Sequence, residues 1–135
     1  MLTSIDHIVL TASDLDKTIS FYCDVLGMTL ENFTPSDGGE ERKSLRFGDQ
    51  KINLHHAKLP YKPHANNPVS GAVDICFLSS TTLEEWQKIF SKKGVVIEDG
   101  PIQKTGATGP IMSLYVRDPD QNLIEFLTKS NSTCP

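Results

Sequence analysis

Asp6–Met28 reads DHIVLTASDLDKTISFYCDVLGM, and the way this stretch divides decides the fold. Its opening lies within residues 5–11, IDHIVLT, which alternate and are rich in β-branched side chains, so they predict a strand. From residue 12 the period changes. Leu15, Ile19, Tyr22 and Leu26 recur at spacings of 4, 3 and 4, an apolar stripe along a helix. Ser13 is placed to cap its start and Gly27 its end. Residues 28–34 then predict a second strand, and 35–41, built from Pro, Asp, Gly and Glu, a turn. Residues 43–56 predict a hairpin that reverses at Gly48–Asp49.

The same order then returns. Residues 57–71 hold three prolines and no periodicity, and read as a linker. Residues 72–79 predict a strand. Residues 80–94 predict a helix, with Thr82 and Glu85 spaced as a capping box. Residues 95–100 predict a strand, 101–110 a glycine-rich loop, and 111–128 a hairpin turning at Asp118–Asp120. Laying DHIVL on VDICF sets His7 on Asp74. The two helices end at Gly27 and Gly94, 67 residues apart; SLRF and SLYV start at Ser44 and Ser113, 69 apart; the last strands set Asn53 on Glu125, 72 apart. This is an internal duplication of about 60 residues. The predicted class is α+β, a single domain over 1–128 made of two βαβββ modules: module one 3–57, a linker 58–70, module two 71–128, then a tail 129–135.

Composition narrows the function. The chain has 135 residues, 38% hydrophobic and 22% charged, with a net charge of −4. A mixed, mildly acidic surface lacks the basic patch that phosphate backbones require, which excludes nucleic acid as the main partner. No apolar run approaches the roughly 18 residues of a spanning helix, and the N-terminus does not read as a signal peptide, so no membrane role is expected. Cys23, Cys76 and Cys134 are odd in number and form no CxxC pair; they read as reduced thiols in the cytoplasm.

The strands have one apolar face, carried by Ile8, Leu10, Ile52, Leu54, Val73, Ile75, Phe77, Ile124 and Phe126. Alternation puts His7, Arg46, Asn53, His55, Asp74, Tyr115 and Glu125 on the other. A solvent face is commonly Lys, Thr, Glu and Ser; this one holds ligand-type side chains with apolar members such as Val9 and Leu127 among them, as pockets do. Imidazole together with carboxylate suits a divalent transition metal: Zn, Ni, Fe, Mn or Co. In the pair His55–His56, alternation turns only His55 towards this face. Arg46 reads either as a clamp on a substrate carboxylate or phosphate, or as one half of a surface ion pair. Lys104 reads as a cap over the pocket from a loop that Gly106 and Gly109 let move, and His64 as an exposed residue.

The stretches DHIVLTASDLDKTISFYCDVLGM and YVRDPDQNLIEF resemble the vicinal oxygen chelate superfamily, which includes glyoxalase I, extradiol dioxygenases, and fosfomycin- and bleomycin-resistance proteins. FGDQKINLH, VDICF and EDGPIQKTGATGPI look like its short glyoxalase-domain members. The resemblance implies a U-shaped mixed sheet around a central cleft, with metal ligands from the first and last strands of each module. Those positions match His7, Asn53, Asp74 and Glu125. Asn53 stands where glyoxalase I has glutamate and Asp74 where many members have histidine, so the implied ligand set is His7, His55 and Glu125, with Asp74 as a fourth ligand or as a support for one. The resemblance further implies Glu125 as the catalytic base, a small substrate with vicinal oxygens, and a homodimer; Arg46, Asn53, Lys104 and Tyr115 are the candidate substrate-binding residues. The expected function is a metal-dependent lyase or isomerase of the glyoxalase type. The alternatives are a non-catalytic antibiotic-binding protein and a ring-cleaving dioxygenase.

Overall fold

The structure is a computed structural model that describes residues 1–129. The chain divides into two compact units, Met1–Ala72 and Val73 onward. In each unit a strand, a helix and three further strands follow in order, giving an α+β fold of two βαβββ modules. Among the described residues, no helix is long and apolar enough to cross a membrane. Apart from Lys129, which ends the last strand, the expected tail and Cys134 lie outside the described residues.

Module one contains β1 (His7–Ala12), α1 (Leu15–Ser20), β2 (Thr29–Phe33), β3 (Arg42–Phe47) and β4 (Gln50–His56). Its sheet order is β1-β4-β3-β2. β1 and β4 run parallel, with Ile8 beside Ile52 and Leu10 beside Leu54; β3 lies antiparallel to β4, with Leu45 beside Ile52. Leu10, Leu45, Ile52 and Leu54 are at most 3% exposed, so the apolar face is the core, as alternation requires. The helix differs from its expected form in two ways. Asp14, not Ser13, is the N-cap: its carboxylate accepts from the Lys17 amide at 3.1 Å. After Ser20 the chain winds as a π-helical turn over Phe21–Val25, where the Leu26 amide reaches back five residues to the Phe21 carbonyl. The wider turn breaks the 3.6-residue stripe after Tyr22, which is 1% exposed.

Module two contains β5 (Asp74–Leu78), α2 (Leu83–Lys93), β6 (Asp99–Gly106), β7 (Gly109–Arg117) and β8 (Leu123–Lys129), with sheet order β5-β8-β7-β6. Thr82 caps α2 by accepting from the Glu85 amide, and Gly94 ends it in the left-handed conformation at φ +71°. The helix packs through aromatic rings: Trp86 and Phe90 lie 5.0 and 5.4 Å from Phe126 of β8, centroid to centroid. The Trp86 indole donates to Ser79 Oγ at 2.8 Å. The DPDQN turn is held by Asp118, whose carboxylate accepts from the amides of Asp120 and Asn122 and from the Asn122 side chain. Asn122 in turn accepts from the Val73 amide and so fixes the approach to β5.

Two expectations are corrected here. Residues 95–98 are not a strand, and the supposed glycine-rich loop is most of β6 and its hairpin to β7. Gly and Pro are admissible there because β6 is the edge of its sheet, and the β6–β7 register is irregular between Asp99 and Ile102, around Gly100–Pro101. The duplication also aligns differently along the third strands. Ser44 lies beside Asn53, whereas Tyr115 lies beside Glu125 and Ser113 beside Leu127. Ser44 therefore corresponds to Tyr115, and Arg46 to Arg117. Arg46 pairs with Glu31 at 2.8 Å and Arg117 with Glu98 at 2.9 Å, so the same ion pair recurs in both modules.

Candidate functional site

The polar faces of the two sheets have matching registers. In module one His7 stands beside Lys51 and Val9 beside Asn53. In module two Asp74 stands beside Leu123 and Cys76 beside Glu125. Each module thus offers one residue at the start of its first strand and a second, two steps further along, on its last strand: His7 and Asn53, Asp74 and Glu125.

His7 is exposed, and its Nδ1 is 2.8 Å from Asp6 Oδ1. The register does not bring His7 and His55 together. His55 lies beside Thr11, four steps from His7, about 13 Å along the strands. Side chains that stand perpendicular to a sheet do not close such a gap on one ion. His55 is 6% exposed. Burial, then the Arg42 guanidinium and His64, hold its pKa below the ordinary 6.5. Its ring meets Tyr61 edge to face at 5.3 Å, and the Arg42 guanidinium lies 4.1 Å from the centre of the Tyr61 ring. His56 is on the other face, where its Nδ1 accepts from the Lys58 amide and it borders a cavity of about 350 Å³ with Leu15, Leu54 and Leu59. His64 is exposed, as expected.

In module two Glu125 is surrounded by neutral donors. Ser113 donates its hydroxyl to Glu125 Oε2 at 2.5 Å. Burial and then the Glu125 carboxylate push the Cys76 thiol up to about 12 and the Tyr115 phenol up to about 12; Asp74 adds to both. Both groups therefore stay protonated at neutral pH. Lys104 lies on β6, not on a loop, and its ammonium stands 5.7 Å from the centre of the Tyr115 ring.

The donor chemistry decides where a divalent cation fits. After burial, the Glu125 and Asp74 carboxylates add to the upward shifts of the Cys76 thiol and the Tyr115 phenol, and a cation is favoured beside such carboxylates. The Arg42 charge beside His55 opposes one. Within either module, no three His, Cys, Asp or Glu side chains converge among the described residues. Sequence reasoning missed Ser113 and Cys76 around Glu125, and Arg42, Ser44 and Tyr61 around His55. Alternation from Arg46 is the signal that could have found Arg42 and Ser44 on the polar face; no signal in residues 57–71 singles out Tyr61.

Known proteins share this architecture. Over 126 residues the chain is 46% identical to Virulence protein STM3117 of Salmonella typhimurium strain LT2, covering 93% of this chain and 84% of that one. The crystal structure of that protein superposes with a TM-score of 0.87 at 44% identity, covering 96% of this chain and 99% of the other. The chain is 47% identical over 123 residues to the Glyoxalase domain-containing protein RDO1 of Mycosarcoma maydis, covering 91% of this chain and 66% of that longer one. Lactoylglutathione lyase from Agrobacterium tumefaciens is similar in structure, with a TM-score of 0.68 and 26% identity over 94% of each chain. The family described as the Glyoxalase/Bleomycin resistance protein/Dioxygenase superfamily matches residues 4–126, and the chain belongs to that superfamily.

Proposed function

We propose that this chain is a metal-dependent enzyme of the glyoxalase type, a lyase or isomerase acting on a small substrate with vicinal oxygens. The observation that carries the reading is Glu125: a carboxylate ringed by Ser113, Cys76 and Tyr115, with Asp74 reinforcing its field. We assign Asp74 and Glu125 of module two as ligands of a divalent transition metal, and keep His7 as the candidate ligand that module one offers. His55, by its distance from His7 and its neighbour Arg42, is left out of that set. Such a metal would act as a Lewis acid on the vicinal oxygens.

The chain's own groups have separate tasks. Ser113 donates to Oε2 of Glu125 and holds the carboxylate in place, and Glu125 serves as the base that takes a proton from the substrate. Tyr115 and Cys76, both protonated, donate to oxygen atoms and do not act as bases. Lys104 beside Tyr115 adds positive charge for a developing anion. Asn53 offers a half-buried amide for substrate binding. Arg46, held by Glu31, contributes charge without a free fork.

Metal titration followed by elemental analysis tests the reading. About one equivalent of a divalent transition metal is expected, and Glu125→Gln should weaken its binding at least about tenfold. Less than about a tenth of an equivalent, with no uptake on titration, would refute the enzyme and leave a small-molecule-binding protein.

A further inference from the structure

The polar face of module one holds a cluster that the metal reading does not use. Arg42 Nε, Ser44 Oγ, Asn53 Oδ1 and His55 Nδ1 are all buried with no hydrogen-bond partner among the described residues. They are four of the five such side-chain atoms there, and the fifth, on Thr18, belongs to α1. Buried polar atoms are ordinarily paired, so four adjacent exceptions call for an external partner. The cluster is contiguous: Ser44 lies beside Asn53, and the same register, continued by two residues, sets Arg42 beside His55. Tyr61 covers it, with the Arg42 guanidinium over its ring and its edge towards His55. Ser44 and His55 are 1% and 6% exposed.

We infer that Arg42, Ser44, Asn53 and His55, under Tyr61, form a binding site for the carboxylate of a small organic acid. Arg42 only donates and always carries its charge, so the partner must be an acceptor and an anion. Its planar fork matches the two oxygens of a carboxylate. Ser44 and the rotatable Asn53 amide donate without charge, and His55 donates through Nδ1 when that nitrogen carries the proton. Arg46 is engaged by Glu31, and the Lys51 ammonium lies 4.5 Å from the centre of the Phe33 ring. One cation with neutral donors balances a monoanion; a phosphate dianion would need a second free cation. The inference rests on the proposed function only in taking the carboxylate as part of the substrate.

Titration of ¹⁵N-labelled, metal-free full-length protein with acetate, glycolate and inorganic phosphate tests it, read at the arginine Nε–H and histidine ring signals. Acetate and glycolate should shift Arg42 and His55 saturably. Arg42→Gln should weaken that binding at least about tenfold, as loss of a charge-assisted hydrogen bond does, while Lys88→Gln on α2 should leave it unchanged. Arg42→Lys, which keeps the charge and loses the fork, should also bind more weakly and serves if Arg42→Gln fails to fold. No saturable shift in the wild type, or an affinity within twofold of wild type in a folded Arg42 variant, would overturn the site. Tighter binding of phosphate than of either acid would overturn the ligand class. Because no metal is present, the outcome is independent of the metal assignment.

Discussion

Two histidines adjacent in sequence have entirely different surroundings. His56 caps a turn by accepting from Lys58; His55 is buried against Tyr61 and Arg42. Burial and the Arg42 and His64 charges lower the pKa of His55 in the folded chain, while in the unfolded chain it titrates near its ordinary 6.5. The unfolded state therefore binds more protons below that pH, and stability falls as pH drops through 6.5. Urea unfolding between pH 5 and 7.5 should show this loss in the wild type, and His55→Gln should flatten it. An unchanged slope in the variant would mean that His55 is not the titrating group. The position of His55 on the inner or outer face was legible from alternation; its partners were not, because Arg42 and Tyr61 reach it from elsewhere in the chain.

At the scale of elements, caps and stripes in the sequence located both helices and most of the strands. The exceptions are informative. The stretch PIQKTGATGP carries Gly and Pro, which punctuate loops when read locally, yet it is paired to β7 at a sheet edge. Gly100 explains how. Its φ is +95°, and a Cβ there would stand 2.3 Å from the Ser113 carbonyl oxygen, so only glycine lets the two backbones approach. Gly100→Ala should cost on the order of 2 kcal/mol or more in urea unfolding. It should also disturb Glu125, since Ser113 is the residue whose hydroxyl holds that carboxylate. The mismatch of Ser44 with Ser113 has a similar origin. The Ser-Leu shared by SLRF and SLYV suggested one register, but hydrogen bonding across the sheet sets Ser44 against Asn53 and Tyr115 against Glu125.

For the whole molecule, several apolar side chains remain uncovered on one chain: Val9 at 44%, Leu59 at 75%, Leu78 at 65% and Val96 at 81% exposure. Such side chains are available for association, and, as the resemblance to short glyoxalase-domain proteins implies, we expect a homodimer of about 30 kDa from the 14.9 kDa chain. Light scattering at micromolar concentration checks this; a single species at the monomer mass would refute it. The sequence by itself determined the repeated βαβββ order, the apolar core face, and the matched positions of His7, Asn53, Asp74 and Glu125. Those follow from local periodicity and from a duplication that keeps equivalent residues at near-constant offsets. Only the tertiary structure decided that His55 lies four steps from His7 with Arg42 beside it, that Ser113, Cys76 and Tyr115 surround Glu125, and that Tyr61 leaves the linker to cover a polar cluster. These depend on which strands pair and in what register. That choice is made by burial across the whole module, and no short stretch of sequence encodes it.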